Sequence, residues 1–236
     1  MNAMSGYGGA DRLARENAEL TQLRMRQCAT MLCDFAAQMN VVAPRVAHAF
    51  ELPGVVRFTD LEIRDLFVEE REKSTATLHG TVGSIRDSTL DYVLFSYRYS
   101  GPHRYTVTRT SPPEIERLET VLHRHRIGFD VQIQRNARAQ VERAVFQIES
   151  AIAGGVKFIA DDPSATIRIM LRNVERLGDF GLTLPASDLS QPLLEELGRC
   201  IIGMPNEFRR LAYCDRSQTS TWLNSREGPH TFSSGD

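Results

Sequence analysis

The sequence predicts an α+β protein, with a long amphipathic N-terminal helix leading into a mainly antiparallel sheet built as two meander-plus-helix halves. Three observations carry that expectation. Leu13, Leu20, Leu23, Cys28, Met31, Leu32, Phe35 and Met39 recur at three-to-four spacing, the period of one helix face. Between Val55 and Leu184 lie repeated β-branched and aromatic runs separated by Gly, Pro, Asp and Ser, the pattern of strands and turns. Ser111-Pro112-Pro113-Glu114 then combines a cap, an N1 proline and an N3 glutamate at one helix start.

Residues 1–9 are small and glycine-rich and are expected to be disordered; residues 10–50 form the N-terminal helical segment. About 28 residues without Gly or Pro give a helix roughly 40 Å long, more than one face of a small core covers. Its first half places Leu13, Asn17 and Leu20 at four-and-three spacing, as in a short coiled-coil seam with one buried-type asparagine. Leu23 extends that stripe, so self-association is expected through Leu13, Asn17, Leu20 and Leu23.

An α+β domain is expected over 54–211, with halves at 54–127 and 128–204. Thr59-Asp60-Leu61-Glu62 fits a capping box, but the β-branched and aromatic content through Val68 favours a long, bulged strand. Strands are expected at 76–85, 90–99 and 103–110, with Ser100-Gly101-Pro102 as the hairpin turn between the last two. The helix begun at Ser111 buries Ile115, Leu118, Val121 and Leu122 and ends in His123-Arg124-His125-Arg126, where positive charge meets the negative helix end. Further strands are expected at 129–134, 142–149, 155–160, 166–173 and 180–184, then a helix at 190–202 stopped by Gly203. The polar stretch 215–236 is expected to be disordered.

Composition narrows function without choosing it. A formal net charge of −2 gives no whole-chain attraction to nucleic acid or acidic membranes. Lys73 and Lys157 are the only lysines among 28 basic residues; the remaining arginines suit carboxylate or phosphate pairing, although GC-rich bacterial coding produces the same bias. Cys28, Cys33, Cys200 and Cys214 include no Cys-x-x-Cys pair. With no leader-like segment and no apolar run of membrane length, they read as reduced thiols of a cytoplasmic protein.

Motifs for catalysis or cofactors fail on context. Asp179-Phe180-Gly181 lacks the other kinase elements. His123 and His125 diverge by about 200° on a helix and share no metal. The acids Asp60, Glu62, Asp65, Glu69, Glu70 and Glu72 lack metal-loop spacing and read as a solvated strand face. No catalytic, cofactor-binding or metal residue is assigned. One chemical bias remains: residues 98–143 hold nine arginines against five acids, beside Tyr97, Tyr99 and Tyr105. The expected function is non-enzymatic binding or assembly through protein–protein contacts, by a homo-oligomer presenting a sheet face. The alternative is nucleic-acid binding through Tyr97, Arg98, Arg104, Tyr105, Arg109, Arg124 and Arg126.

Overall fold

A computed structural model describes residues 7–73 and 89–213. The strand expected at 76–85 lies outside the described residues, as do residues 1–6 and the 215–236 tail. The elements are α1 (Tyr7–Val42), β1 (Phe50–Leu52), β2 (Val56–Phe58), β3 (Glu62–Glu72), β4 (Leu90–Arg109), α2 (Pro112–Arg124), β5 (Ile127–Arg135), β6 (Val141–Asp161), β7 (Thr166–Arg172), β8 (Asp179–Pro185), α3 (Gln191–Ile202) and α4 (Phe208–Tyr213). The class is the expected α+β, with every named strand pair antiparallel.

The spine of the six-stranded sheet is β6, 21 residues long and therefore about 70 Å when extended. The strands expected at 142–149 and 155–160 are one, because Gly154-Gly155 is part of the ladder, opposite Tyr97 and Ser96. Tyr97 lays its ring over Gly154, where a Cβ would overlap ring atoms. The glycine makes room for an aromatic ring; it does not turn the chain. On one side β6 pairs with β4 along most of its length; on the other it pairs first with β5 and then with β7. The sheet order at its wide end is β3-β4-β6-β7-β8.

Ser100-Gly101-Pro102 is likewise no hairpin turn. Ser100 pairs with Ala151 and Arg104 with Glu149, so β4 uses four steps where β6 uses two. This is an irregularity within one strand, a place where a proline without an N–H is tolerated. The β4–β6 ladder also joins the two expected halves into one sheet. In chain order β1 to β4 precede α2, and β5 to β8 precede α3. The 59–73 segment is the bulged strand, with its irregularity between Arg64 and Phe67.

One face of the sheet is sealed. Along β6, alternate residues from Ala144 to Ala160 are buried without a change of phase, so α1, α2 and α3 all lie on that face. From α1 it receives Met25, Cys28, Ala29, Leu32 and Ala36. The helix is longer than expected, 36 residues, and its described residues Gly9–Glu16 are exposed.

Polar side chains fix α1 where the ladder has gaps. Gln22 Nε2 donates to Leu90 O at 3.0 Å and to Asp162 Oδ1 at 2.9 Å, while Leu90 N–H donates to Gln22 Oε1 at 2.7 Å. One amide thus satisfies both backbone groups at the start of β4, and Lys73 closes the cluster on Asp162. Asn17 is not a seam asparagine: its Nδ2 donates to Pro163 O at 3.1 Å. Gln22→Ala leaves the Leu90 groups without that amide, and unsatisfied buried groups cost roughly 1–3 kcal/mol each. Equilibrium urea unfolding of this variant is expected to show a loss of about 2–4 kcal/mol; an unchanged midpoint would mean that α1 is not held there.

Candidate functional site

Among the described residues the opposite face of the sheet carries no helix, and its two ends differ in chemistry. Toward the N-terminal half of β6 the cross-strand neighbours are polar: Arg104 donates to Glu149 at 2.8 Å, Thr106 to Gln147 at 3.1 Å and Arg143 to Gln134 at 2.6 Å. Toward the wide end the register aligns Phe67, Ser96, Gly155, Arg172 and Asp179 in one row, and Glu69, Leu94, Lys157, Met170 and Gly181 in the next. A third row holds Arg71, Tyr92, Ile159, Arg168 and Thr183. Large apolar side chains therefore gather at one end of an otherwise polar face.

The bulge of β3 creates the most exposed of them. Asp65 adopts a left-handed φ of 55°, and the extra residue puts Leu66 in the core and turns Phe67 outward. Asn40 of α1 holds this geometry from behind. Its Nδ2 donates to Leu66 O at 2.7 Å, and its Oδ1 accepts the Leu66 N–H at 3.0 Å. Phe67 is left 54% exposed. Beside it Arg98 is paired with Asp65 at 2.7 Å.

Between Phe67 and the β6–β7 ladder runs a groove of about 380 Å³, floored by Ser96, Ala153 and Gly155 and flanked by Arg98, Arg126 and Arg172. Small residues on the floor let another chain approach the sheet closely. Next to it, Lys157 Nζ stands 3.7 Å from the centre of the Tyr92 ring, and Tyr92 donates its hydroxyl to Glu69 at 3.0 Å. The rim is thus charged and pre-ordered around an apolar centre.

The residues expected to contact nucleic acid do not form one surface. Tyr97 is 3% exposed and faces the core, where its ring meets Phe95 and Tyr99. Tyr105 packs on Phe58. Arg104 is paired with Glu149, and Arg109 donates to Gly54 O and Thr108 O. Arg124 is in the last turn of α2. Of the set, Arg98 and Arg126 line the groove together with the buried Tyr97. The expected seam on α1 is also divided: Asn17 and the partly buried Leu20 face their own domain, while Leu13 and Leu23 are 58% and 52% exposed but about 80° apart around the helix. Phe67 and Asn40 were not singled out in the sequence; the signal was the phase shift before Val68.

Chemistry on the sealed side is subdued. Cys200 donates its thiol to Glu175 at 3.2 Å, and burial followed by that carboxylate pushes its pKa up, so the nucleophilic thiolate is disfavoured. Burial also raises Tyr97 and Tyr99. No group of three His, Cys, Asp or Glu side chains is placed to hold a metal among the described residues, and no helix there is long and apolar enough to cross a membrane. Neither protein-family models, nor curated proteins, nor solved structures give a match to this chain.

His48 sits between Phe50 and Tyr99, with ring centroids 4.8 and 5.7 Å away. Burial lowers its pKa, against the opposing pull of Glu175. Below about pH 6.5, the ordinary imidazole value, the unfolded chain takes up this proton more readily than the folded one. Stability is therefore lost as pH falls through that region and recovers as it rises. Denaturant midpoints across that interval are expected to fall less steeply for His48→Phe than for the wild type; identical slopes would remove His48 as a source of acid sensitivity.

Proposed function

We propose that this chain is a non-enzymatic binding module that presents the apolar end of its bare sheet face to a protein partner. The single observation behind the proposal is the bulge-driven exposure of Phe67 beside a small-residue floor, on a face whose other end is polar. An exposed phenylalanine forgoes part of the roughly 1.5–3 kcal/mol that full burial provides, and a partner covering it recovers that. Around the groove and the three rows are Arg71, Arg98, Arg126, Lys157, Arg168 and Arg172 against Asp65, Glu69 and Asp179, a positive balance that favours an acidic rim on the partner.

Self-association through α1 is not needed for this surface. The continuous seam it would use is interrupted by Asn17 and Leu20, both turned to their own domain.

A photo-crosslinking residue placed at position 67 in the full chain, within cells that make it naturally, is expected to capture one protein. The same residue at position 147, on the polar end, is expected to capture none. Phe67→Arg should weaken the interaction of the purified partner by about tenfold or more, the scale of a central aromatic anchor. Crosslinks to nucleic acid, or no adduct at position 67, would contradict the proposal.

A further inference from the structure

The loop between β7 and β8, residues 173–178, forms one wall of a cavity on the helix side of the sheet, away from the bare face. Asn173 starts the loop in a left-handed conformation, with φ of 49°, and is buried. Its Nδ2 donates to Ala153 O at 2.8 Å, and its Oδ1 accepts the Gly178 N–H at 2.8 Å. The Tyr99 hydroxyl reaches Val174 O at 3.1 Å and Ile201 O at 2.9 Å, which ties the loop to α3. Val174, Glu175 and Arg176 therefore occupy fixed positions.

These three residues line a pocket of about 170 Å³. Leu171, Phe180 and Leu182 enter it from β7 and β8, Cys200 from α3 and Phe208 from α4. Apolar cavities of roughly this size take up a benzene-sized group. The tail that fits is one aromatic ring or one branched aliphatic chain.

Charge at the mouth selects the head group. Both oxygens of Glu175 are engaged by the protein itself: one accepts the Cys200 thiol at 3.2 Å, and the other accepts Arg209. Arg176 differs. Its guanidinium lies over the Phe180 ring, 4.4 Å from the centre, and among the described residues no carboxylate is paired with it. A guanidinium stacked on a ring keeps its N–H edge for a planar anion. Arg176 and Arg209 against Glu175 leave the lining one positive charge in excess. An amine would meet two guanidinium groups and an occupied carboxylate, whereas a carboxylate would meet a ready donor.

We propose that this pocket binds a small free carboxylic acid, its single-ring or branched apolar tail between Phe180, Leu182 and Phe208 and its carboxylate on Arg176. The site is separate from the bare face and does not depend on the role assigned to Phe67.

The test titrates phenylacetate and 4-methylpentanoate into the full chain at neutral pH, by calorimetry and by the methyl signals of Leu171, Val174 and Leu182. Both acids are expected to saturate with dissociation constants on the order of 0.1–1 mM, a range suited to ligands of about ten non-hydrogen atoms. Phenylacetamide keeps the ring and loses the charge, and should bind about tenfold or more weaker. Arg176→Gln, at an exposed position, should weaken phenylacetate to the level of the amide and leave the amide unchanged. Leu182→Trp fills the tail site and should abolish binding of both; Arg176→Gln decides alone if that variant does not fold. Phe67→Arg should leave phenylacetate binding unchanged, so failure here and failure of the bare-face proposal are read separately. No saturation by either acid up to about 10 mM, equal affinity for acid and amide, or binding indifferent to Arg176→Gln would overturn the proposal. So would a peptide ending in phenylalanine that binds more tightly than phenylacetate, because the occupant would then be a protein terminus.

Discussion

Alternation along β6 governs the molecule. From Ala144 to Ala160 alternate residues of the strand are buried, with no inversion. Every strand paired to it, and through β4 and β7 the strands beyond, inherits that division. Helices can therefore gather on one face only. Had the phase slipped by one residue, buried and open sides would have exchanged across the ladder. Small residues at Ala153, Gly154 and Gly155 let the strand stay continuous where Tyr97 crosses it from β4.

The sealed face depends on α1, which does more than cover apolar area. Gln22 and Asn40 each bond both the N–H and the C=O of one sheet residue, Leu90 and Leu66. They act as short pieces of ladder at a strand start and at a bulge. The second has a consequence on the far side of the sheet. By holding Leu66 in the core, Asn40 stabilises the bulge that turns Phe67 outward. Packing on one face and the candidate interface on the other are thus consequences of one local geometry.

Much of this architecture was legible in the sequence. The long helix, the bulged strand near 62–72, the Ser111 helix start and the Gly203 stop follow from local patterns that the structure preserves. Glycine and proline were misleading where tertiary contacts decided their meaning. Gly154 reads as a strand break but accommodates a ring, and Gly101-Pro102 reads as a turn but is an irregularity within β4. Asn17 has the spacing of a coiled-coil asparagine, and only the fold shows Pro163 as its acceptor. Tyr97 and Arg98 are adjacent in sequence and lie on opposite faces, so a cluster counted along the chain divided between core and solvent.

Backbone amide exchange on the full chain, followed over a range of protein concentrations, tests the one-sided sheet most directly. Residues 17–40 of α1 should exchange as slowly as the central part of β6 and together with it, because the two open only when the core opens. Residues 9–16 should exchange quickly at every concentration. Rapid exchange throughout α1 while β6 stays protected, or protection of 9–16 that grows with concentration, would show a helix that serves self-association instead of sealing the sheet.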